Sequence, residues 1–197
     1  MTSFIDYLKE DPGCLYIYNR DFSIYGLNEK ERYTIVVTDN WVCPEDWIGF
    51  DTAVYEIYNL QQWFNFVTSG SIIGWECACL NKKYIIKEHV KLLMKTDPLQ
   101  LRKDVDQLYV KYKVYSGIDS NLYFELIRQI RFAVQIINNH KILNFKDGLD
   151  TCRAILKCES VSEIDKIITN EYQVLKKLTD GVFKQDILNR AKKNGNL

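Results

Sequence analysis

The sequence predicts an α+β protein, with a small mixed sheet and flanking helices over residues 1–80 and a C-terminal helical bundle over residues 81–197. Three observations carry this. Short runs rich in aromatic and β-branched residues, bounded by Gly, Pro, Asn and Asp, crowd the first part. After about Leu80 the pattern changes to apolar residues three and four apart over long stretches. Only three prolines occur in 197 residues, which leaves room for long uninterrupted helices.

The elements follow in order. "SFIDYLKED" places Phe4, Ile5 and Leu8 on one helical stripe, with Ser3 as N-cap and Pro12-Gly13 as the stop. "CLYIYN" is a short strand, and "YTIVVT", Tyr33 to Thr38, is a central one beyond the Gly26 turn. "DNWVCPEDWIGFD" is a loop, "AVYEIYNL" alternates as a strand around Glu56, and "LQQWFNFVTSG" is a helix ended by Gly70. "IIGWECACL" reads as another strand or as a buried turn of helix; as a strand it sets Cys77 and Cys79 on one face. "KKYIIKEHVKLLMKTD", "LQLRKDVDQLYVKYKVYSG" and "NLYFELIRQIRFAVQIINNHK" all carry helical spacing, the last with Leu122, Leu126, Ile130, Ala133 and Ile137 in line. "SVSEIDKIITNEYQVLKKLTDG" is a helix capped by Ser160 or Ser162, with Ile164, Ile167, Ile168, Tyr172 and Leu175 on one side. No internal repeat or low-complexity linker separates the two parts.

Composition excludes several classes. A hydrophobic content of 47% against 26% charged residues is that of a folded domain. The 26 Lys and Arg balance 26 Asp and Glu, which removes the global positive field of a typical nucleic-acid binder. The five lysines from Lys82 to Lys95 and the basic tail from Lys184 to Lys193 read as solvated faces. The six cysteines form no C-x-x-C, and His89 and His140 lie far from them, so neither a zinc site nor disulfides are expected. No stretch approaches 18 apolar residues, so no membrane span is expected. The polar, acidic N-terminus carries no export signal, and with free thiols the expected location is the cytoplasm.

"SIYGL", "YTIVVTDNW", "YEIYNLQQWFNFVTSGSIIGWECACL" with Glu76, "LRKDVDQ" and "LIRQIRFAVQIINNHKILNF" together resemble, in their order, the nucleotidyltransferase fold of the DNA polymerase beta superfamily. The closest resemblance is to the small predicted nucleotidyltransferases of phage and bacterial genomes. It implies a Gly-Ser turn whose N–H groups approach phosphates, an Asp-x-Asp strand and a third carboxylate. Together these hold two Mg²⁺ ions that clamp a triphosphate. It also places Ser23 in the phosphate turn, Glu76 at a family carboxylate, and Arg128 and Arg131 at the cleft.

The expected metal ligands do not fall into place. Anchored on Tyr33, the paired aspartates become Lys30 and Arg32; anchored on Gly26, they fall near Tyr33 and Ile35. The Gly-Ser pair becomes Asp21-Phe22 or Phe22-Ser23. Two alternatives stay open. Glu29 and Glu31, joined by Glu56, form a shifted carboxylate set, and the protein is then an active Mg²⁺-dependent nucleotidyltransferase acting on a protein, RNA or small molecule. Or Lys30 and Arg32 hold phosphate directly, with no metal and no cofactor. Arg128 and Arg131, three apart, either line the cleft or form ion pairs with Glu125 or another acid. Trp41 and Trp47, with Phe50, either meet a base or a protein partner or plug their loop onto the core. His140 sits at a helix end and His89 on the surface, both structural, while Ser69 and Ser71 flank a helix stop rather than a phosphate loop.

The resemblance thus leads to a degenerate nucleotidyltransferase-fold protein that has lost metal-dependent catalysis. It is expected to bind a nucleotide, an RNA, or a host or defence protein, in the host cytoplasm if phage-encoded. A helical interaction protein unrelated to the superfamily is the remaining alternative.

Overall fold

The computed structural model describes residues 3–20, 31–43, 53–114 and 119–193, with the side chains of 186–191 and 193 left aside. Two compact units emerge: Met1–Ser69 with Ile73–Lys95, and Gly70–Ile72 with Thr96–Leu197. The first holds a mixed four-stranded sheet and the second is helical, so the chain is α+β.

In the first unit, helix α1 (Phe4–Glu10) is capped by the Ser3 hydroxyl, which accepts the Asp6 N–H. Strands β1 (Cys14–Asn19), β2 (Arg32–Val37), β3 (Val54–Asn59) and β4 (Ile85–Lys87) line up in the order β3-β2-β1-β4. β1 runs antiparallel to β2 and β4, whereas β2 and β3 are parallel. Alternation divides the strand side chains between two faces. Phe4, Ile5 and Leu8 of α1 join Ile17, Tyr33, Ile35 and Val37 in one core, with Tyr55 against it. On the other face, Trp63 of helix α2 (Leu60–Ser69) packs among Tyr16, Tyr18, Tyr58 and Phe66. Gly70, at a φ of +75°, ends α2 in the left-handed region that favours glycine.

One stretch takes the second of its two expected forms, and another differs from expectation. "IIGWECACL" is a helix, α3 (Ile72–Cys79), so Cys77 and Cys79 do not share a strand face: Cys77 is fully buried and Cys79 partly so. A segment apolar all round is buried on every side and shows no helical stripe to read. "KKYIIKEHVKLLMKTD" is not a helix. A 3₁₀ turn at Lys82–Tyr84, capped by Asn81, leads into β4, which pairs with β1. Helical spacing there yields to the open edge of β1. The Lys87 ammonium then reaches the carbonyls of Lys9 and Asp11 at 2.9 and 2.8 Å, tying β4 to the end of α1.

The second unit is built from α4 (Pro98–Val114), α5 (Ser120–Asn139), α6 (Leu149–Ile155) and α7 (Val161–Lys193). Leu122, Leu126, Ile130 and Ala133 of α5 are buried as their spacing predicts. α7 opens with a capping box: the Ser160 hydroxyl accepts the Glu163 N–H, and the Glu163 carboxylate accepts the Ser160 N–H. Ser160, not Ser162, is therefore the cap. α5 ends at His140, whose φ of 52° lets its N–H bond the Ile136 carbonyl, while its Nδ1 lies 2.8 Å from the Thr96 hydroxyl. Buried Gln135 organises the following loop. Its carbonyl accepts the N–H groups of Leu143 and Asn144, and its amide donates to the Asn144 carbonyl and Asp147.

Candidate functional site: an arginine held between two glutamates

The polar centre of the first unit is built by strand register. The β1–β2–β3 ladder sets Tyr18 beside Thr34 and Thr34 beside Glu56. Just past β1, the Arg20 N–H donates to the Arg32 carbonyl at 2.7 Å, so Arg20 continues the ladder. Two-residue alternation then gives Tyr18, Arg20, Arg32, Thr34, Glu56 and Tyr58 one common face. α3 brings Glu76 to the same place.

There the Arg20 guanidinium joins two carboxylates. Its Nη1 donates to Glu76 Oε2 at 2.9 Å and its Nη2 donates to Glu56 Oε2. Arg32 Nη1 donates to the other Glu56 oxygen at 3.2 Å. Side-chain exposure is 2% for Arg20 and 1% for Glu76, against 25% for Arg32 and 24% for Glu56. The network therefore runs from a dry interior pair to a half-buried rim pair. Two positive and two negative groups balance, as burial requires.

The neighbouring titratable groups respond to this dry setting. Burial pushes the Cys77 thiol well above its ordinary range, which the Arg20 charge partly opposes. Such a thiol stays protonated and is no nucleophile. Burial, with the Glu56 charge adding to it, pushes the Tyr58 hydroxyl up to about 12. Neither group titrates near neutrality.

Several expected site residues are placed elsewhere. Ser23, Glu29, Lys30 and Trp47 lie outside the described residues. The carboxylate of Glu31 accepts the Tyr33 hydroxyl at 2.8 Å. Tyr33 belongs to the α1 core, on the sheet face opposite Glu56. Of the expected Glu29, Glu31 and Glu56 set, Glu31 faces away from Glu56, because residues an odd number of positions apart across this register face opposite ways, and Glu29 lies outside the described residues. Arg32 lies on the Glu56 face but spends its charge on that carboxylate.

Trp41 is tied down rather than presented. Its indole N–H donates to Asp11 at 2.7 Å and its ring packs on the α1 core. Gly13 lies so close that an added Cβ would meet the ring at 2.8 Å. In the second unit, Arg128 is buried, donates to Glu125 at 2.5 Å and lies over the Phe132 ring. Arg131 donates to Glu171 at 2.5 Å, with Asp147 at 4.0 Å. Both arginines are thus engaged by acids of their own unit.

Arg20 and Glu76 are the pair at the heart of this centre, and Arg20 did not figure among the candidates read from sequence. The available signal was its parity: Arg20, just past β1, continues the alternation of Tyr16 and Tyr18 as Glu56 alternates on β3. Two opposite charges set into apolar strands invite pairing. Among the described residues, no three His, Cys, Asp or Glu side chains gather closely enough to hold a metal ion. No family model, no curated protein and no solved structure matches this chain.

Proposed function

We propose that this chain is a degenerate nucleotidyltransferase-fold protein, of phage or bacterial type, that acts by binding another protein rather than by transferring a nucleotide. The observation that supports this reading is the Arg20 guanidinium between Glu56 and Glu76. Mg²⁺ needs hard oxygen ligands with free lone pairs. Here three of the four oxygens of Glu56 and Glu76 accept guanidinium N–H groups, and with two arginines among them the set fits an internal cation better than a metal. The nearby thiol and phenol stay protonated and supply no general base. The charges balance, which gives little pull on a polyanion such as RNA or a triphosphate. That favours a protein as the ligand.

The experiment is incubation of the full chain with labelled nucleoside triphosphates, Mg²⁺ or Mn²⁺, and protein or RNA acceptors. No label is transferred on this reading. Transfer that disappears in Glu56→Gln overturns it in favour of an active enzyme.

One observation favours a second reading, in which a nucleotide or RNA is bound without turnover: Arg32 sits at the half-buried rim of the network, two residues after Lys30 in sequence. On that reading, calorimetry detects ATP or an oligoribonucleotide, and Arg32→Ala weakens it.

A further inference from the structure

We infer that the second half of α7 is a docking seam for an acidic amphipathic helix of another protein. The inference gives the protein-binding reading a surface and a partner class, but uses none of the Arg20 residues.

α7 runs for 33 residues, and Ile164, Ile168, Leu175 and Thr179 form its buried side. Beside that side runs a second stripe that its own unit leaves uncovered. Val174, Leu178 and Val182, each four residues apart, are 47%, 39% and 41% exposed. Four-residue steps stack side chains along one helix face, so these three make a continuous apolar strip. Scattered exposed apolar residues need no reason, but an aligned strip does.

Gly181 lies three residues beyond Leu178 and one before Val182, on the border of the strip. A glycine inside a helix costs about 1 kcal/mol relative to alanine. A Cβ added here would meet nothing within 4 Å, so no internal packing asks for glycine. What its missing side chain provides is close approach from outside, as where two helix backbones meet.

Charge selects the partner. The solvent side of the strip carries the exposed lysines Lys177 and Lys184, with exposed Lys166 two turns before it. Among the described side chains of α7, the acids are already engaged: Glu171 by Arg131, Asp180 by Arg102, Asp165 by Lys113 and Glu163 in the α7 cap. An apolar seam with a lysine margin, on a chain of zero net charge, complements a helix with an apolar stripe and a glutamate or aspartate margin. A second copy of α7 would bring lysine against the same seam. An anionic membrane would accept the lysines, but a strip of two valines and one leucine interrupted by glycine offers it little apolar surface.

The test uses the full chain and three probes. These are a synthetic helix with a leucine stripe and glutamate margins, its lysine-margined counterpart, and vesicles containing phosphatidylglycerol. The glutamate-margined helix binds at least about tenfold more tightly than the lysine-margined one at low ionic strength, and the difference shrinks as salt is added. Leu178→Asp abolishes binding with the far-ultraviolet circular dichroism unchanged. Lys177→Glu with Lys184→Glu reverses the preference between the two peptides. Gly181→Ala raises the Tm yet weakens peptide binding, a combination that a purely structural glycine would not give. Equal affinity for the two peptides, binding to neither, preferential binding to the vesicles, or self-association lost in Leu178→Asp overturns the inference. None of these readouts involves nucleotide transfer, so this inference and the proposed function fail separately.

Discussion

Arg20 holds its charge where water scarcely reaches, and its stability rests wholly on the acids it meets. Removing one partner of a buried ion pair leaves the other charged and dry, at a cost of about 3–5 kcal/mol. Arg20→Met is therefore expected to lower the urea-unfolding free energy by about that amount, since Glu76 at 1% exposure would lose the cation it is buried with. Arg20→Met combined with Glu76→Gln recovers part of the loss, because the stranded charge is gone. A near-neutral single substitution would mean that water already reaches the pair. This residue also marks the limit of sequence reading at the site. A basic residue at the end of a strand looks solvated, and the acid that buries it lies 56 positions further on. Glu56 was legible as a lone acid in an alternating strand, and Glu76 as a lone acid in an apolar run. The cation joining them was not, because only the folded sheet and α3 bring all three together.

At the scale of elements, the joint between α1 and the chain after β2 is held by the Asp11 carboxylate at the C-terminus of α1. Burial disfavours its charge, but the Trp41 indole, the Gly13 N–H and the Tyr7 hydroxyl all donate to it and outweigh burial. Its pKa falls below the ordinary 3.8. In acid the unfolded chain then binds a proton before the folded one does, so this joint adds stability fully above the unfolded value. The contribution is lost as pH falls from there through the lowered folded value. Urea midpoints measured from about pH 5 to about pH 2 should fall less steeply for Asp11→Asn than for the native chain. Parallel curves would show that the donors do not favour the charged form. β1, β2, β3, α1, α2 and the long helices were legible, because each shows a clean period with a cap or turn at its end. α3 and β4 were not. α3 is buried all round and shows no stripe, while β4 is three residues that become a strand only because β1 has an edge to offer. Trp41 was ambiguous for a related reason: the partner of its indole sits 30 residues earlier.

At the scale of the whole molecule, the two units differ in how far apart in sequence their backbone hydrogen bonds lie. The first must join β1 to β4 across nearly the whole unit and set β2 parallel to β3, whereas the backbone bonds of the second lie within its helices, which side chains such as Arg102–Asp180 and Tyr112–Asp165 then tie together. Non-local strand pairing closes large loops before any pairing is gained, and it slows folding relative to local helix packing. The chain carries its own reporters for this difference. All four tryptophans, Trp41, Trp47, Trp63 and Trp75, belong to the first unit, while the longest helices belong to the second. After dilution from denaturant, far-ultraviolet circular dichroism should therefore recover mostly in an early phase and tryptophan fluorescence in a later one. Ile17→Ala, in the strand that pairs on both sides, should slow the fluorescence phase and leave the early dichroism phase unchanged, because Ile17 belongs to the α1 core of the first unit. Coincident single-exponential recovery of both signals would mean that the sheet and the helices fold as one cooperative body, and that the parallel β2–β3 pairing is not the slow step.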